Sequence, residues 1–272
     1  MGPSQEAEAQ AARMKMKPAH YALITGASRG IGHHFARALA ARSWDTILVA
    51  RTGDQLERLA AELSGTYGVR ALPVALDLTQ NGAALKLSRM TTEQGLDVEL
   101  LVNNAGVGNR GEFLKMPSDE QLKMIRLNAL ALVELTYGLL PPMIAKKRGA
   151  IINVSSTAGF QPMPYVAVYA ATKAFVTSFS MALAEEVRTH DIRVVTLCPG
   201  PTRTERHPEE SSRSRIPGGL QPAEEVVEEA LRQLDHEGGL VVPRLINRAI
   251  AFSNRLMPLR LSATIVARLT RP

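Results

Sequence analysis

The sequence places a phenol and a primary amine one helical turn apart, as Tyr169 and Lys173 in the segment YAATK. Side chains at positions i and i+4 share one face of a helix, so this pair could act together. An unperturbed tyrosine has a pKa of about 10, and a neighbouring ammonium group favours the phenolate. The pair could therefore exchange a proton with a reacting oxygen. Because tyrosine and lysine also share this spacing in ordinary helices, spacing alone does not establish a catalytic site.

A second group of residues could bind a phosphate. The segment TGASRGIG, residues 25–32, follows an apolar run and precedes a stretch with helical periodicity. In such a turn Gly26 permits the tight bend, Gly30 allows close approach to a pyrophosphate, and Gly32 allows the helix to pack on the strand. The spacing G-x-x-x-G-x-G differs from the common dinucleotide fingerprint. The turn therefore indicates a nucleotide only together with the strand before it and the helix after it.

The end of the second apolar run, LVARTGD, bears on which dinucleotide could bind. An NAD site usually carries Asp or Glu at this point to hold the ribose hydroxyls, whereas a 2′-phosphate requires a cation. Here Arg51 follows Ala50, and Arg29 lies in the glycine-rich turn. Two guanidinium groups favour NADP(H), with NAD(H) as the alternative cofactor. Arg51 could also be an ordinary solvated surface residue.

These residues need a scaffold, and the pattern along the chain predicts an α/β fold. Apolar runs rich in β-branched residues alternate with stretches of helical periodicity, which indicates βαβ units. We predict a single-domain Rossmann fold, with a doubly wound, seven-stranded parallel sheet and helices on both faces. The predicted strands are YALITG, TILVAR, RALPVALD, ELLVNNAG, AIINVSS, IRVVTLCPG and the weaker GLVVP. Helices are predicted from about residue 30 and over residues 54–67, 83–93, 118–146 and 165–189.

The chain is predicted to have three parts. Residues 1–17 are polar and form a frayed arm without the apolar run of a signal peptide. Residues 18–243 form the catalytic domain, including a lid over residues 200–221, which are rich in Pro, Gly, Ser and charged residues. Residues 244–272 form a basic amphipathic C-terminal extension interrupted by Pro258.

The composition excludes several classes of protein. No run of about 18 uninterrupted apolar residues is present, so no membrane-spanning helix is predicted. Cys198 is the only cysteine and cannot form an internal disulfide, which favours a cytoplasmic protein. The net charge is +6, but the stretch 238–272 has six arginines and no acidic residue, and the remainder is formally neutral. A nucleic-acid-binding domain would need its positive charge on the globular part, so none is predicted.

The basic C-terminal extension could make one of two kinds of contact. Its apolar residues recur at helical intervals with arginines between them, as in a helix that lies on an anionic membrane surface or clamps a lipid-like substrate. Alternatively it packs on the same subunit or on a partner and leaves its arginines in solvent. From the sequence we prefer the packing alternative over peripheral membrane contact.

Taken together, the motifs resemble those of the short-chain dehydrogenase/reductase family over about residues 20–242. The resemblance rests on six motifs in the family's order: the turn at residues 25–32, N-N-A-G at 103–106, a helical Asn128, a serine pair at 155–156, Y-x-x-x-K at 169–173, and P-G-x-x-x-T at 199–204. The adjacent His33 and His34 depart from the usual pattern, but their spacing does not indicate a metal site.

The resemblance implies roles for individual residues. Tyr169 would be the general acid in reduction and the general base in oxidation, with Lys173 lowering its pKa and bonding the nicotinamide ribose. Ser156, which lies 13 residues before Tyr169, is preferred over Ser155 as the group that holds the substrate oxygen. Asn128 would fix a water molecule that leads to Lys173, although a structural role is the alternative.

The resemblance also implies a cofactor site. Asp77 would accept from the adenine amino group, residues 104–106 would approach the adenosine ribose, and Thr204, in preference to Thr202, would bond the nicotinamide carboxamide. Asn103 is interpreted as structural. The full set is Gly26, Ser28, Arg29, Gly30, Ile31, Gly32, Arg51, Asp77, Leu78, Asn104, Ala105, Gly106, Tyr169, Lys173, Pro199, Gly200 and Thr204.

The sequence therefore predicts an NADPH-dependent carbonyl reductase, reversible as an alcohol dehydrogenase, that acts on a small-molecule carbonyl or alcohol. A hydrophobic substrate is one option, and the sequence does not identify the compound. A homodimer or homotetramer is expected from the resemblance. The alternative is a catalytically silent dinucleotide sensor or scaffold with the same fold. Loss of Tyr169 or Lys173 would have favoured that alternative, and both are present.

Overall fold

A single seven-stranded parallel sheet forms the centre of the protein, in a computed structural model that describes residues 20–204 and 219–271. The strand order is β3-β2-β1-β4-β5-β6-β9, which confirms the predicted doubly wound sheet. The strands are β1 (Tyr21–Thr25), β2 (Asp45–Ala50), β3 (Ala71–Ala75), β4 (Val98–Asn103), β5 (Gly149–Val154), β6 (Ile192–Leu197) and β9 (Gly239–Val241). The direction of winding reverses between β1 and β4, where ligands bind in sheets of this kind.

Helices cover both faces of the sheet. They are α1 (Gly30–Ala41), α2 (Gly53–Tyr67), α3 (Ala83–Glu93), α4 (Ser118–Ile125), α5 (Ala131–Ala145), α6 (Ala167–Val187), α7 (Ala223–Asp235), α8 (Leu245–Leu256) and α9 (Leu259–Thr270). Side chains alternate across β1, so Ile24 packs with α1, α2 and α7, and Leu23 packs with α3, α5 and α6. Each face therefore has its own apolar core.

The helix predicted over residues 118–146 is interrupted in its middle. Helices α4 and α5 are joined by a π-helical turn, Arg126–Leu130, which contains Asn128.

The segments Ser118–Ala145 and Ala167–His190 are long and apolar enough to cross a membrane by length and composition. The sequence prediction relied on uninterrupted apolar runs and missed both. Leu135 of the first and Leu183 of the second are buried in the core, so packing accounts for part of their apolar character, and 44% and 33% of the apolar stretches in the two segments are buried.

Strand β3 forms one edge of the sheet, and in the described part of the chain it pairs only with β2. Its residues are half-buried or exposed, and Pro73 occupies its middle position, opposite Leu48.

The region after β6 contains a small element that the sequence did not predict. Strands β7 (Thr202–Arg203) and β8 (Gln221–Pro222) pair in parallel and bring the two ends of the predicted lid together. Residues 205–218 of that lid, the predicted arm at residues 1–17, and Pro272 lie outside the described residues.

Candidate active site

The glycine-rich turn joins β1 to α1 and forms a cradle for an anion. Gly26 and Gly30 adopt positive φ angles of 67° and 57°, which favour glycine. A Cβ on Gly32 would lie 2.3 Å from the carbonyl oxygen of Gly26, so only glycine lets α1 approach the end of β1. Among the residues that the structure describes, no side chain caps the N-terminus of α1 at Arg29. Its first N–H groups are thus available to an anion, and the turn fits the pyrophosphate of a dinucleotide.

A threonine at the end of β1 ties this turn to the loop after β4. The Thr25 hydroxyl donates to the Val102 carbonyl (3.2 Å) and accepts the N–H groups of Asn104 and Ala105 (2.9 Å each). The Asn104 amide also donates to the Thr25 carbonyl (2.8 Å). These bonds hold together the two loops on either side of the switch point. This role of Thr25 was not predicted, although a threonine that ends an otherwise apolar strand is a signal for it.

Asn103 lies in the interior, as its structural interpretation requires. Its amide nitrogen donates to Asn153 Oδ1 (2.9 Å) and to the Thr136 hydroxyl (3.2 Å), linking β4 to β5 and α5. Its Oδ1 is buried and has no hydrogen-bond partner among the described residues.

The predicted nucleotide end of the site lies at the ends of β2 and β3. Arg51 immediately follows β2 and is exposed, as is Arg29. Neither forms an ion pair within residues 20–204 and 219–271, so both are free to meet a phosphate. Asp77 accepts the N–H (3.0 Å) and the hydroxyl (2.8 Å) of Thr79. Burial acts to raise the pKa of Asp77, but hydrogen bonds from Thr79 and Gln80, with a smaller effect of the Arg51 charge, lower it below the usual value. Leu78 beside it is buried.

Lys173 has the most strongly shifted pKa among the basic residues in the described part of the chain. Its side chain is buried, its Nζ donates to the Val154 carbonyl (2.8 Å), and Nζ lies 5.8 Å from the centroid of the Tyr169 ring. Burial lowers the pKa of Lys173 to about 8, against a smaller opposing effect of Cys198. Gly108 lies close to the Tyr169 ring, because an added Cβ there would lie 3.2 Å from Tyr169 Cδ2. The loop after β4 thus lies close to both Tyr169 and Lys173, since an added Cβ on Gly106 would lie 3.5 Å from Lys173 Nζ.

The two neighbouring serines have different environments. The Ser155 hydroxyl is buried and donates to the Lys173 carbonyl (2.7 Å), so it fixes α6 to β5. Ser156 is half-buried, and its Oγ accepts the N–H of Ala158 (3.1 Å) at the start of a 3-10 turn, Thr157–Phe160. Within residues 20–204 and 219–271 the Ser156 hydroxyl donates no hydrogen bond, so its proton can be offered to a ligand. This contrast supports the choice of Ser156, whose role stays a prediction.

Asn128 connects three parts of the site. Its Oδ1 accepts the N–H of Val107 (2.9 Å), and its Nδ2 donates to the Val107 carbonyl (2.8 Å) and to the Thr172 hydroxyl (3.1 Å). Both amide protons are therefore used by the protein, as the structural alternative requires. A cavity of about 10 Å³ borders Asn128, Asn103 and Val154, and a cavity of this size holds about one water molecule. The predicted water beside Asn128 therefore remains a prediction.

The segment after β6 closes the site over α1. A Cβ on Gly30 would lie 3.2 Å from Thr204 Cγ2, which places Thr204 against the start of α1. Thr202 instead donates to the Gly200 carbonyl (2.9 Å) and accepts from Gln221 (3.1 Å). Because the Thr202 hydroxyl already bonds within the β7–β8 region, this agrees with the prediction that Thr204, and not Thr202, binds the nicotinamide carboxamide. Pro199 is buried, and its carbonyl accepts the N–H of Thr157.

Comparison with known proteins gives matches over most of the chain. The family model described as short chain dehydrogenase matches residues 20–215. A very-long-chain 3-oxoacyl-CoA reductase of Phaeosphaeria nodorum is 40% identical over 178 residues, which are 64% of this chain and 52% of that protein. The chain thus spans about half the length of the curated relatives it matches.

Two solved structures resemble almost the whole chain. A short-chain dehydrogenase from Sphingobium yanoikuyae in complex with NADPH has a TM-score of 0.76 and 32% identity, covering 87% of this chain and 93% of its own. A 7β-hydroxysteroid dehydrogenase has a TM-score of 0.80 and 28% identity, covering 91% of this chain and 96% of its own. The fold therefore recurs in proteins of known structure.

Proposed function

The chain belongs to the short-chain dehydrogenase family, and from this premise we propose that it uses NADPH to reduce the 3-oxo group of long-chain acyl thioesters. It is an oxidoreductase that acts on CH–OH and C=O groups. The reaction type rests on one arrangement: Tyr169 lies beside a buried lysine with a lowered pKa. The substrate class rests on the curated relatives.

The residues present fit NADP(H). The cradle at residues 26–32 and the uncapped N-terminus of α1 suit the pyrophosphate, and Arg29 and Arg51 suit the 2′-phosphate. Asp77 would face the adenine, Lys173 the nicotinamide ribose, and Thr204 the nicotinamide. When bound, NADPH supplies the hydride that reduces the carbonyl carbon.

The chain itself supplies the proton and the polarising groups. Tyr169 would protonate the substrate oxygen as negative charge develops on it, because the Lys173 ammonium stabilises the phenolate left behind. Ser156 would donate its hydroxyl proton to the same oxygen, since its Oγ already accepts from the Ala158 N–H. Asn128 would hold the Val107 segment and α6 at a fixed separation, and so keep the cleft beside Tyr169 open.

The cofactor preference has a direct test. Arg51→Ala removes one of the two guanidinium groups, so we expect NADPH affinity to fall at least about tenfold, the value of one charge-assisted hydrogen bond. NADH affinity should stay unchanged, because NADH lacks the 2′-phosphate. Arg58→Ala, an exposed arginine on α2, is the matched control. If Arg51→Ala binds both cofactors like the parent protein, the phosphate assignment is wrong.

The reaction is tested by replacing the proposed acid. Tyr169→Phe should lower kcat at least about a hundredfold, the usual contribution of general acid catalysis, while NADPH binding is retained. Tyr137→Phe is the matched control, because Tyr137 on α5 is 76% exposed and far along the chain from the motif. Full turnover by Tyr169→Phe would show that the chain does not use this tyrosine. A complete absence of turnover in the parent protein would favour the sensor or scaffold alternative.

The substrate class is tested with a panel monitored by NADPH absorbance. If the proposal is correct, kcat/KM should rise from short to long 3-oxoacyl-CoA substrates, because each buried CH₂ contributes about 0.8 kcal/mol. Oxosteroids form the second candidate class, which is favoured by the likeness of the 7β-hydroxysteroid dehydrogenase over 91% of this chain. Higher kcat/KM for an oxosteroid than for every acyl thioester would replace the first proposal with the second.

The expected cytoplasmic location and homo-oligomeric state stay predictions.

A further inference from the structure

The two C-terminal helices turn their large apolar side chains outward. Helix α8 faces the body of the protein with Asn247 and Ala251, and helix α9 does so with Ser262 and Val266. Residues four apart lie on one face of a helix, so each pair defines the packed side. The exposed side carries Leu245 (79% exposed) and Phe252 (64%) on α8, and Leu261 (52%) and Ile265 (42%) on α9. A helix that packs only on its own domain normally buries its larger apolar residues. The outward face therefore indicates a further apolar contact.

The same segment is positively charged and carries no compensating acid. No Asp or Glu occurs between Gly238 and Pro272. Arg244 and Arg248 pair with Glu225 (3.1 Å) and Glu229 (3.9 Å) on α7, which holds α8 on the body. Arg260 and Arg268 on α9 are exposed and form no ion pair with the described residues. Helix α9 thus presents uncompensated positive charge beside its apolar ridge.

The helices are too short to cross a bilayer. Each has 12 residues, and a rise of about 1.5 Å per residue gives a length of about 18 Å, against a hydrocarbon core of about 30 Å. Pro258 separates them. An amphipathic pair of this length with arginines and Phe or Leu suits the plane of the membrane interface.

The C-terminal pair is fixed at the mouth of the active site. Arg110, in the loop after β4, donates to the backbone carbonyls of Thr270 and Arg271 (3.0 Å each). The Thr270 hydroxyl donates to the Pro164 carbonyl (3.0 Å) in the segment before α6. These two loops flank Tyr169, which follows Pro164 closely in sequence and packs on Gly108. A surface on which α9 docks would therefore lie next to the active-site cleft.

The loop after β4 adds apolar side chains to the same rim. Phe113 (59% exposed) and Leu114 (92% exposed) begin a 3-10 turn three residues beyond Arg110. Three residues of chain span at most about 11 Å, so this turn lies near the end of α9.

We propose that α8, α9 and the turn at residues 113–115 dock on the surface of an anionic lipid bilayer. A second copy of the chain is the competing occupant. A two-fold contact through this face would bring Arg260 and Arg268 of one copy against the same face of the other, and the segment offers no carboxylate to pair with them. An anionic bilayer offers both the apolar layer and the negative charge that this face lacks.

The test is sedimentation of the full chain with vesicles, one set of phosphatidylcholine alone and one with phosphatidylglycerol added. We expect binding to the anionic vesicles only, weakened by high salt. Arg260→Gln/Arg268→Gln should lower the partition coefficient about twenty-fivefold, since each basic residue near an anionic surface contributes about fivefold. Arg58→Gln/Arg89→Gln removes two exposed arginines elsewhere and should leave binding unchanged.

The apolar contribution is tested with a second matched pair. Leu261→Ser/Ile265→Ser should lower binding at least about tenfold, because two apolar side chains no longer enter the interface. The control is Leu122→Ser/Ile125→Ser on α4, with nearly the same exposures of 52% and 44%. Circular dichroism melting checks that each variant is folded.

Three results would overturn the proposal. They are equal binding to neutral and anionic vesicles, equal losses in the test and control variants, or a dimer that the Leu261/Ile265 substitutions dissociate while no vesicle binding is found. The measurement uses neither substrate nor NADPH, so its outcome is independent of the proposed reductase activity.

Discussion

The pKa of Lys173 should make the stability of the protein depend on pH. Lys173 is 5% exposed, and burial lowers the pKa of its amine from 10.5 to about 8. A shift of this size corresponds to about 3 kcal/mol, because each unit equals about 1.4 kcal/mol. Since the folded pKa is below the unfolded value, the unfolded chain binds the proton more tightly between about pH 8 and 10.5. The cost of the buried ammonium is complete below about pH 8, and stability rises with pH above it.

The size of the change in unfolding free energy follows from the folded and unfolded pKa values of Lys173. Between about pH 7 and about pH 9.5 the free energy of unfolding should rise by about 2 kcal/mol through Lys173 alone. Lys173→Met cannot titrate and should lose this rise. Burial also raises the pKa of the Cys198 thiol, which interacts with Lys173, so both proteins should carry Cys198→Ala to remove the coupled group.

Urea unfolding followed by fluorescence measures this difference, because Trp44 is the single tryptophan and packs against the core formed by α1 and α2. The quantity of interest is the change in unfolding free energy between the two pH values, compared between parent and variant. Lys86→Met, which removes an exposed lysine on α3, is the matched control. If Lys173→Met shows the same rise as the parent, the amine is not desolvated in the folded protein and the assigned role of burial is wrong.

Two further predictions concern the turn and the serine pair. Gly32→Ala should abolish NADPH binding and lower Tm, because its Cβ would lie 2.3 Å from the Gly26 carbonyl oxygen. The control is Gly65→Ala in α2, whose Cβ would meet no atom within 4 Å. This control should raise the free energy of unfolding by up to about 1 kcal/mol. An unchanged NADPH titration for Gly32→Ala would show that the close approach of α1 is not needed. Ser156→Ala should lower kcat about a hundredfold with little change in Tm, whereas Ser155→Ala should lower Tm, since its hydroxyl bonds the Lys173 carbonyl in the interior. Equal effects of the two substitutions on kcat and Tm would contradict this division of roles.

The sequence predicted the sheet and the loops of the site because their determinants are local. Gly26 and Gly30 are required by the backbone conformation of the turn itself, and β-branched runs mark the strands without reference to distant residues. The predicted helix over residues 83–93 has the observed bounds of α3.

Features that depend on distant partners were missed. The π-helical turn at Asn128 accompanies bonds to Val107 and Thr172, which lie 21 and 44 residues away. Likewise, the β7–β8 pair forms only because the two ends of the predicted lid return to each other. The sequence also showed that the C-terminal extension is amphipathic, but not which face turns inward. That choice depends on Arg110 and on the ion pairs with α7.

The proline in the edge strand β3 has a consequence for aggregation. Leu76 donates its N–H to Ala50, and because donors alternate along a strand, residues 71, 73 and 75 direct theirs to the open edge. Pro73 has no N–H, so the middle donor of this edge is missing. An incoming strand from another molecule could not form a continuous ladder there, which guards the exposed border of the sheet against fibril-like stacking. Replacing Pro73 with valine would remove that protection.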